Sequence, residues 1–255
     1  MTHAVNHPKH YTSHPSGIEC IEITRHMGFN LGNAVKYLWR NGLKDGQPAI
    51  QDLEKAIWYI QDEIDKMIAE ENKLENRRNI IELIRDEIDD YLMDERKSNN
   101  MLFLDTETTG LDEQAQIIQL AIVDEDGDVI VNTYLDSDAA ISPEAYRVHR
   151  IGKKQIKGYP YFRDIEASIQ RLLCDRKVGM YNADFDMRMM RQSATICLQV
   201  FESVCVMEMA KAHFGEEKWL SLVNACKRLD IKLDNAHDAF ADALATAKVY
   251  ERITE

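Results

Sequence analysis

The stretch MLFLDTETTG, Met101 to Gly110, decides how the rest of the chain is read. Four apolar residues lead into Asp105, Thr106 and Glu107, and a glycine ends the run. An apolar lead of this kind suits a buried strand, and side chains at i and i+2 of a strand share a face. Asp105 and Glu107 therefore project together from the strand's C-terminal end. Paired carboxylates repel each other, and holding them close is costly unless a cation joins them. Hard oxygen ligands suit Mg²⁺ or Mn²⁺. A solvated acidic turn is the plain alternative for D-x-E taken alone.

Acids are plentiful elsewhere: 44 Asp and Glu stand against 31 Lys and Arg, for a net charge of −13. The balance is acidic in both halves, 13 basic against 18 acidic residues up to Asn100 and 18 against 26 beyond it. A protein that coats long duplexes needs clustered Lys and Arg, so that class is excluded. A nuclease gripping a few nucleotides through metal ions is not. The 255 residues favour two domains, and 45% apolar content is enough for a real core. No apolar run of 18 exists, and MTHAVNHPKHYTSHP lacks the basic start and apolar middle of a signal peptide. The five cysteines form no C-x-x-C pair, which reads as idle thiols in a reducing cytoplasm.

The grammar changes twice along the chain. Residues 1 to about 47 carry turn signals (HP twice, SG, RNG, KDG, QP). From Ala49 the pattern turns helical, with Leu53, Ile57, Ile60, Ile64 and Met67 at steps of three and four. A polar stretch, Glu70 to Asn79, separates this stripe from a second one at Ile81, Ile84, Ile88 and Tyr91. The registers differ, since the first predicts apolar residues where Arg78 and Arg85 stand. One long helix or a helical hairpin fits equally. Stripes of this kind often pair with a partner chain, so a homo-oligomer is expected. DERKSNN (Asp94 to Asn100) reads as the linker, giving domains 1–97 and 98–255. Strands follow, with DEDGD (Asp124 to Asp128) as a hairpin turn and KVGMYN as a further short strand.

Further acids stand in YNADFDMRMM, Tyr181 to Met190, and in the closing AHDAFADALATAKVY. His237 precedes Asp242 by five residues, about 140° from alignment on an ideal helix. His237 therefore belongs to the loop or first turn, and Asp242 to the helix itself.

Taken in order, D-x-E-T-T-G, N-A-x-F-D and H-x-A-x-x-D resemble the DEDDh 3′–5′ exonuclease family over residues 100–254. SPEAYRVHRI (Ser142 to Ile151) resembles that family's substrate-side segment, and SLVNACKRLDI the helix before its last motif. The resemblance implies a ribonuclease H-like α/β fold with a mixed sheet. It makes Asp105, Glu107, Asp186 and Asp242 metal-binding carboxylates and His237 the general base. Asp184 is a rival third acid, but the family pattern places the ligand after Phe. A sister subclass has tyrosine four residues before its last acid, where this chain has Asp238. Two ions, Mg²⁺ or Mn²⁺, would clamp the terminal phosphodiester about 4 Å apart. Thr106, Thr108, His149 and Asn182 are candidates for holding the 3′ end, and packing or turn-capping is the alternative for the last two. The product would be a nucleoside 5′-monophosphate, with weak processivity and a preference for short or frayed single-stranded ends.

A second resemblance covers residues 6–64. H-Y, G-I-E, N-A-x-K-Y-x-W-R and D-L-x-K-A-x-W-Y are similar to a small phage family of nucleotide kinase-like proteins. Lys36, Arg40 and Lys44, at steps of four, would line one helix face as a cationic strip, with Lys55 on the next helix and His10 facing the nucleotide. Trp39 and Trp58 would stack on a base. An ordinary surface with core tryptophans, or a pure oligomerisation module, fits the same residues. No G-x-x-x-x-G-K-[ST] phosphate loop exists in the chain. His3, His7, His10 and His14 read as a flexible or locally hydrogen-bonded segment rather than a metal site. The combined expectation is a mainly helical domain before an exonuclease domain. Its partners would be nucleic-acid 3′ ends, short oligonucleotides and free nucleotides, with no membrane. Its place would be the cytoplasm of a phage-infected or prophage-carrying bacterium.

Overall fold

A computed structural model describes residues 7–12, 14–200 and 202–255. His3 lies outside the described residues. The chain divides into two compact units, residues 1–73 and 74–255.

The first unit holds α1 (Lys9–Thr12), α2 (Cys20–Thr24), α3 (Phe29–Trp39) and the start of α4 (Ala49–Met93). Helix α4 is one continuous helix of 45 residues, and the hairpin alternative is not taken. The polar stretch Glu70 to Asn79 contains no Gly or Pro, so nothing in it breaks a helix. Helix α3 stops at Trp39, leaving Arg40 as its C-cap and Lys44 in the following turn. The cationic residues therefore do not form a strip along one helix. Arg40 is instead buried, and its Nε and Nη2 donate to the Asp52 carboxylate at 3.2 and 2.8 Å. Its Nη1 donates to the Tyr11 hydroxyl at 3.2 Å. The histidines of the N-terminal segment bond locally, His7 to Glu19 and His14 to Ser16.

The second unit is built on a five-stranded sheet ordered β3-β2-β1-β4-β5. Strand β1 (Leu102–Thr108) runs antiparallel to β2 (Ile117–Asp124), and β2 antiparallel to β3 (Val129–Tyr134). On the other side of β1, β4 (Lys177–Met180) and β5 (Glu202–Cys205) run parallel. Helices α5 (Pro143–His149), α6 (Lys153–Ile156) and α7 (Phe162–Leu173) separate β3 from β4, and α8 (Ala183–Ser193) follows β4. After β5 come α9 (Val206–Phe214), α10 (Leu222–Arg228) and α11 (Ala239–Thr254). This is the expected mixed sheet with helices on both faces.

The alternation of β1 sets the two faces. Leu102 and Leu104 pack into a core with α7, α8 and the later part of α4, including Ile84 and Ile88. Phe103 points the other way, into a core with α9, α10 and α11. Because Ile84 and Ile88 are committed to the sheet's core, the division of the chain falls inside α4 and not after it. The segment Asp94 to Asn100 is tied down accordingly. Lys97 Nζ lies 2.9, 2.6 and 2.8 Å from Asp124, Asp126 and Asp128 of the β2–β3 turn. That turn has Gly127 at φ +87°, and Asp124 Oδ1 accepts from the N–H groups of Asp126 and Asp128. All five cysteines are free. No helix among the described residues is long and apolar enough to cross a membrane.

Strands β1 and β4 meet at one close approach. A Cβ on Gly179 would lie 2.6 Å from the Phe103 ring, which is itself fully buried. Gly179→Ala should therefore cost about 1–3 kcal/mol through overpacking. Urea denaturation followed by circular dichroism would read this as a lower midpoint with an unchanged slope.

Candidate active site

Phe103, Asp105 and Glu107 share one face of β1, so the apolar core of that face ends in two carboxylates. Glu107 is buried, and Asp105 is partly open to a cleft of about 550 Å³. Helix α8 adds Asp186, which is buried while Asp184 faces solvent. Thr106 points to the opposite face of β1 and donates its hydroxyl to Asp186 Oδ1 at 2.8 Å. A single strand thus presents two acids and orients a third.

The last acid comes from α11. Asp238 caps this helix, its carboxylate accepting from Ala241 N–H. Asp242 lies one turn in, and its Oδ2 accepts from His237 N–H at 3.1 Å. His237 sits in the turn before the helix with φ +69°, a left-handed conformation uncommon outside glycine. The loop-and-helix placement of the two residues is as their spacing predicts. Ligand atoms of Glu107, His237 and Asp242 all lie within 4.8 Å of one another. Asp242 Oδ1 is buried with no hydrogen-bond partner, an unsatisfied acceptor on a residue that lines the acidic cleft.

The electrostatics of the cluster are those of crowded anions. Burial, then the charges of Asp186, Asp242 and Glu107, hold Asp105 well above the usual carboxylate range. Glu107 is pushed up to about 9 by burial and then by Asp242 and Asp186. Asp186 rises to about 7, burial outweighing the Thr106 hydrogen bond, and Asp242 is raised chiefly by burial. A donor set of four oxygen acids, all destabilised as anions and one with an orphaned oxygen, fits hard divalent cations.

The other predicted residues have mixed placements. His149 is buried, and its Nδ1 accepts from Ile151 N–H at 2.9 Å. Its Nε2 therefore carries the proton and donates to the Thr108 carbonyl at 3.2 Å. Both ring nitrogens are spent within the fold, and burial lowers the pKa of the ring. Thr108 Oγ1 donates to the Gly110 carbonyl. Asn182 is the N-cap residue of α8 without a side-chain cap bond, and it lines the cleft. Within the first unit, the predicted Lys36, Arg40 and Lys55 gather around one aromatic ring. Lys36, Arg40 and Lys55 lie 4.5, 4.6 and 5.5 Å from the Tyr37 ring centroid. The field of Arg40 and Lys44, after burial, lowers the pKa of His10.

Two features escaped the sequence reading. Gln119 of β2 lies opposite Glu107 in register. Its Nε2 donates to Asp238 Oδ2 at 2.9 Å, and its Oε1 accepts from Ala239 N–H at 3.2 Å. One buried amide thereby ties the start of α11 to the strand beside Glu107. The signal was visible as the lone polar residue within IIQLAIV. The cleft also has apolar walls, Leu111, Val148, Phe185 and Trp219, contributed by separate segments that no local pattern unites.

Comparison with known proteins agrees with this arrangement. Residues 5–61 match a family described as protein of unknown function (DUF3310), a match that carries no activity with it. Over 173 residues the chain is 29% identical to the uncharacterized exonuclease CP81 of Escherichia phage 186, covering 62% of this chain and 89% of that protein. It is 28% identical over 170 residues to the DNA polymerase III subunit epsilon of Rickettsia typhi, covering 60% and 73%. The fold resembles the zinc-bound E. coli exonuclease I–single-stranded DNA complex, with a TM-score of 0.51 at 18% identity over 61% of this chain and 40% of that one. The Exonuclease (RNase_T) family model matches residues 102–250, more than half the chain, and with Asp105, Glu107, Asp186 and Asp242 gathered at one cleft the protein belongs to that family and is a 3′–5′ exonuclease.

Proposed function

We propose that the protein removes nucleoside 5′-monophosphates from single-stranded 3′ ends, using divalent cations held by Asp105, Glu107, Asp186 and Asp242. The observation that carries this reading is the orphaned, buried Asp242 Oδ1 among acids whose pKa values are all raised. Divalent cations bound there would acidify a water and offset charge on the phosphodiester and the departing 3′ oxygen. His237 accepts the proton of the attacking water, from a turn within reach of Glu107 and Asp242. Phe185, Trp219, Leu111 and Val148 give the terminal bases apolar surfaces to stack on, which is sequence-tolerant. Thr106 acts through Asp186, and His149 acts by fixing the Thr108 carbonyl and the turn after β1. A cleft of about 550 Å³ is the size of a small-ligand pocket and too small for a duplex groove. That size supports a frayed end or a short oligonucleotide as the substrate.

A second reading concerns the first unit. Lys36, Lys44 and Lys55 make no ion pair among the described residues, while Arg40 is neutralised by Asp52. Lys36 and Lys55 beside the Tyr37 ring, with the paired Arg40 behind them, would offer a phosphate two cations next to an aromatic surface. It would suit a free mononucleotide, the product of the exonuclease. Calorimetry with a nucleoside monophosphate should show binding that Lys36→Ala with Lys55→Ala weakens about tenfold or more, at roughly 1.4 kcal/mol per decade. Equal binding by both proteins would reject the site. With ATP present, digestion products that remain monophosphates would reject phosphoryl transfer.

The nuclease reading is tested with 5′-end-labelled single-stranded DNA and RNA in Mg²⁺ or Mn²⁺. A ladder shortening from the 3′ end is expected, and comparison of the two strands identifies the preferred sugar. Asp105→Ala should lose on the order of 10³-fold or more, because several kcal/mol of transition-state stabilisation go with the ligand set. His237→Ala should lose about 10²–10⁴-fold in kcat. Full activity in either variant would refute its assignment.

The raised carboxylates also set a pH dependence of stability. Folded-state values of about 7 for Asp186 and about 9 for Glu107 exceed those of the unfolded chain. The folded state thus holds protons that the unfolded state has already lost, and stability in EDTA falls as pH rises from about 4 through 9. Asp186→Asn removes part of that penalty. Its melting temperature in EDTA should gain on the wild type as pH goes from 5 to 8, by about 2–4 °C per kcal/mol recovered. Mg²⁺ or Mn²⁺ should raise the wild-type value more at pH 8 than at pH 5. A gap independent of pH would show that the acids are not crowded in solution.

A further inference from the structure

We propose that the apolar stripe from Ile50 to Met67 on α4 is a coiled-coil seam covered by a second copy of this chain. The inference goes beyond the nuclease reading and stands or falls separately from it. Its basis is an asymmetry of burial. In the first unit the buried apolar residues among those described are Cys20, Ala34 and Ala56, none with a large side chain. Fifteen large hydrophobic residues of the same unit are exposed, from Ile18 to Ile68. The second unit reverses the proportion, with a core on each face of its sheet. A unit of this size cannot be stabilised by two alanines and a cysteine, so its exposed apolar surface is what must be covered.

The pattern on α4 specifies the cover. Ile50, Ile57 and Ile64 repeat every seven residues, and Leu53, Ile60 and Met67 fill the intervening position three residues on. This is an a/d heptad seam, and β-branched residues at a with mainly unbranched-β residues at d favour two strands. Ile50, Ile57 and Met67 are 60%, 66% and 58% exposed, so the chain's own helices leave the seam open. Helix α3 uses a different face of α4, where Asp52 and Ala56 are buried and Asn30 donates to Asp62 and Glu63. The seam ends where the next a positions become Glu71, Arg78 and Arg85, beyond which α4 buries Ile84 and Ile88 in the second unit.

A seam of a/d residues is filled by a helix with the same pattern, and the same stripe in a second copy is that helix. Two-fold pairing satisfies both stripes at once. With Trp58 and Ile68 at its edges, the stripe offers roughly 500 Å² of apolar surface per copy at roughly 60 Å² per side chain. Pairing would cover roughly 1,000 Å² in total before flanking polar atoms are counted, about the threshold a biological interface must clear.

Sedimentation velocity on the full chain, from nanomolar to tens of micromolar, tests this. The wild type is expected at twice 29.5 kDa in the upper range, and Ile57→Asp with Ile64→Asp at the single-chain mass. The double variant should keep its helical circular dichroism and its exonuclease rate per chain within about twofold, because neither residue touches the cleft. A wild type that stays at single-chain mass throughout the series would overturn the proposal without reference to any variant. So would a double variant that keeps twice the mass, or a wild type at three or four times it.

Discussion

Mutual repulsion among four carboxylates at the C-terminal end of β1 is the constraint around which the second unit is arranged. Asp105 and Glu107 share a strand face, and α8 and α11 deliver Asp186 and Asp242 to the same place. Among the described residues no Lys or Arg forms an ion pair with any of the four. Folding must therefore force the acids together against their charge, and both sheet cores contribute to that work. Leu102 and Leu104 anchor β1 on one side and Phe103 on the other, so the strand cannot tilt to relieve the acids at its end. A divalent cation bound among these acids would offset the repulsion that raises their pKa values.

Holding the acids requires polar connections as well as packing. Thr106 and Gln119 supply them from adjacent strands. Thr106 bonds Asp186, and Gln119 bonds both the cap residue of α11 and the following N–H. Because Gln119 faces Glu107 in register, the position of α11 is referenced to the strand pair that carries Glu107. The positive φ of His237 belongs to the same arrangement. It lets the chain reverse into α11 while its N–H binds Asp242, leaving the imidazole exposed at the cleft.

The sequence made the fold legible through local patterns, and the resemblance of its motifs to the DEDDh family singled out the four acids. MLFLD is a strand by its apolar run, DEDGD a turn by its Asp and Gly, and the five-residue interval from His237 to Asp242 separates loop from helix. What depended on distant partners was not legible. His149 read as either a substrate contact or a packing residue, and its ring bonds both Ile151 N–H and the Thr108 carbonyl, the latter 41 residues away. Lys36, Arg40 and Lys44 read as a helical strip, but α3 ends at Trp39 and Asp52 withdraws Arg40 into a buried pair. The segment Asp94 to Asn100 has a linker's composition, and only the three aspartates brought back by the β2–β3 turn make Lys97 an anchor. The hydrophobic walls of the cleft come from four separate segments, so no window of sequence contains them.

Helix α4 shows how one element can obey two different periodicities. Up to Met67 its apolar residues follow a seven-residue repeat suited to another helix. From Ile81 they follow the face that packs on a twisted sheet. The polar interval Glu70 to Asn79 lets the register change without a Gly or Pro, so the helix stays intact while its apolar stripe shifts. The mismatch visible as Arg78 and Arg85 at expected apolar positions is thus the mark of a change in apolar register within an unbroken helix.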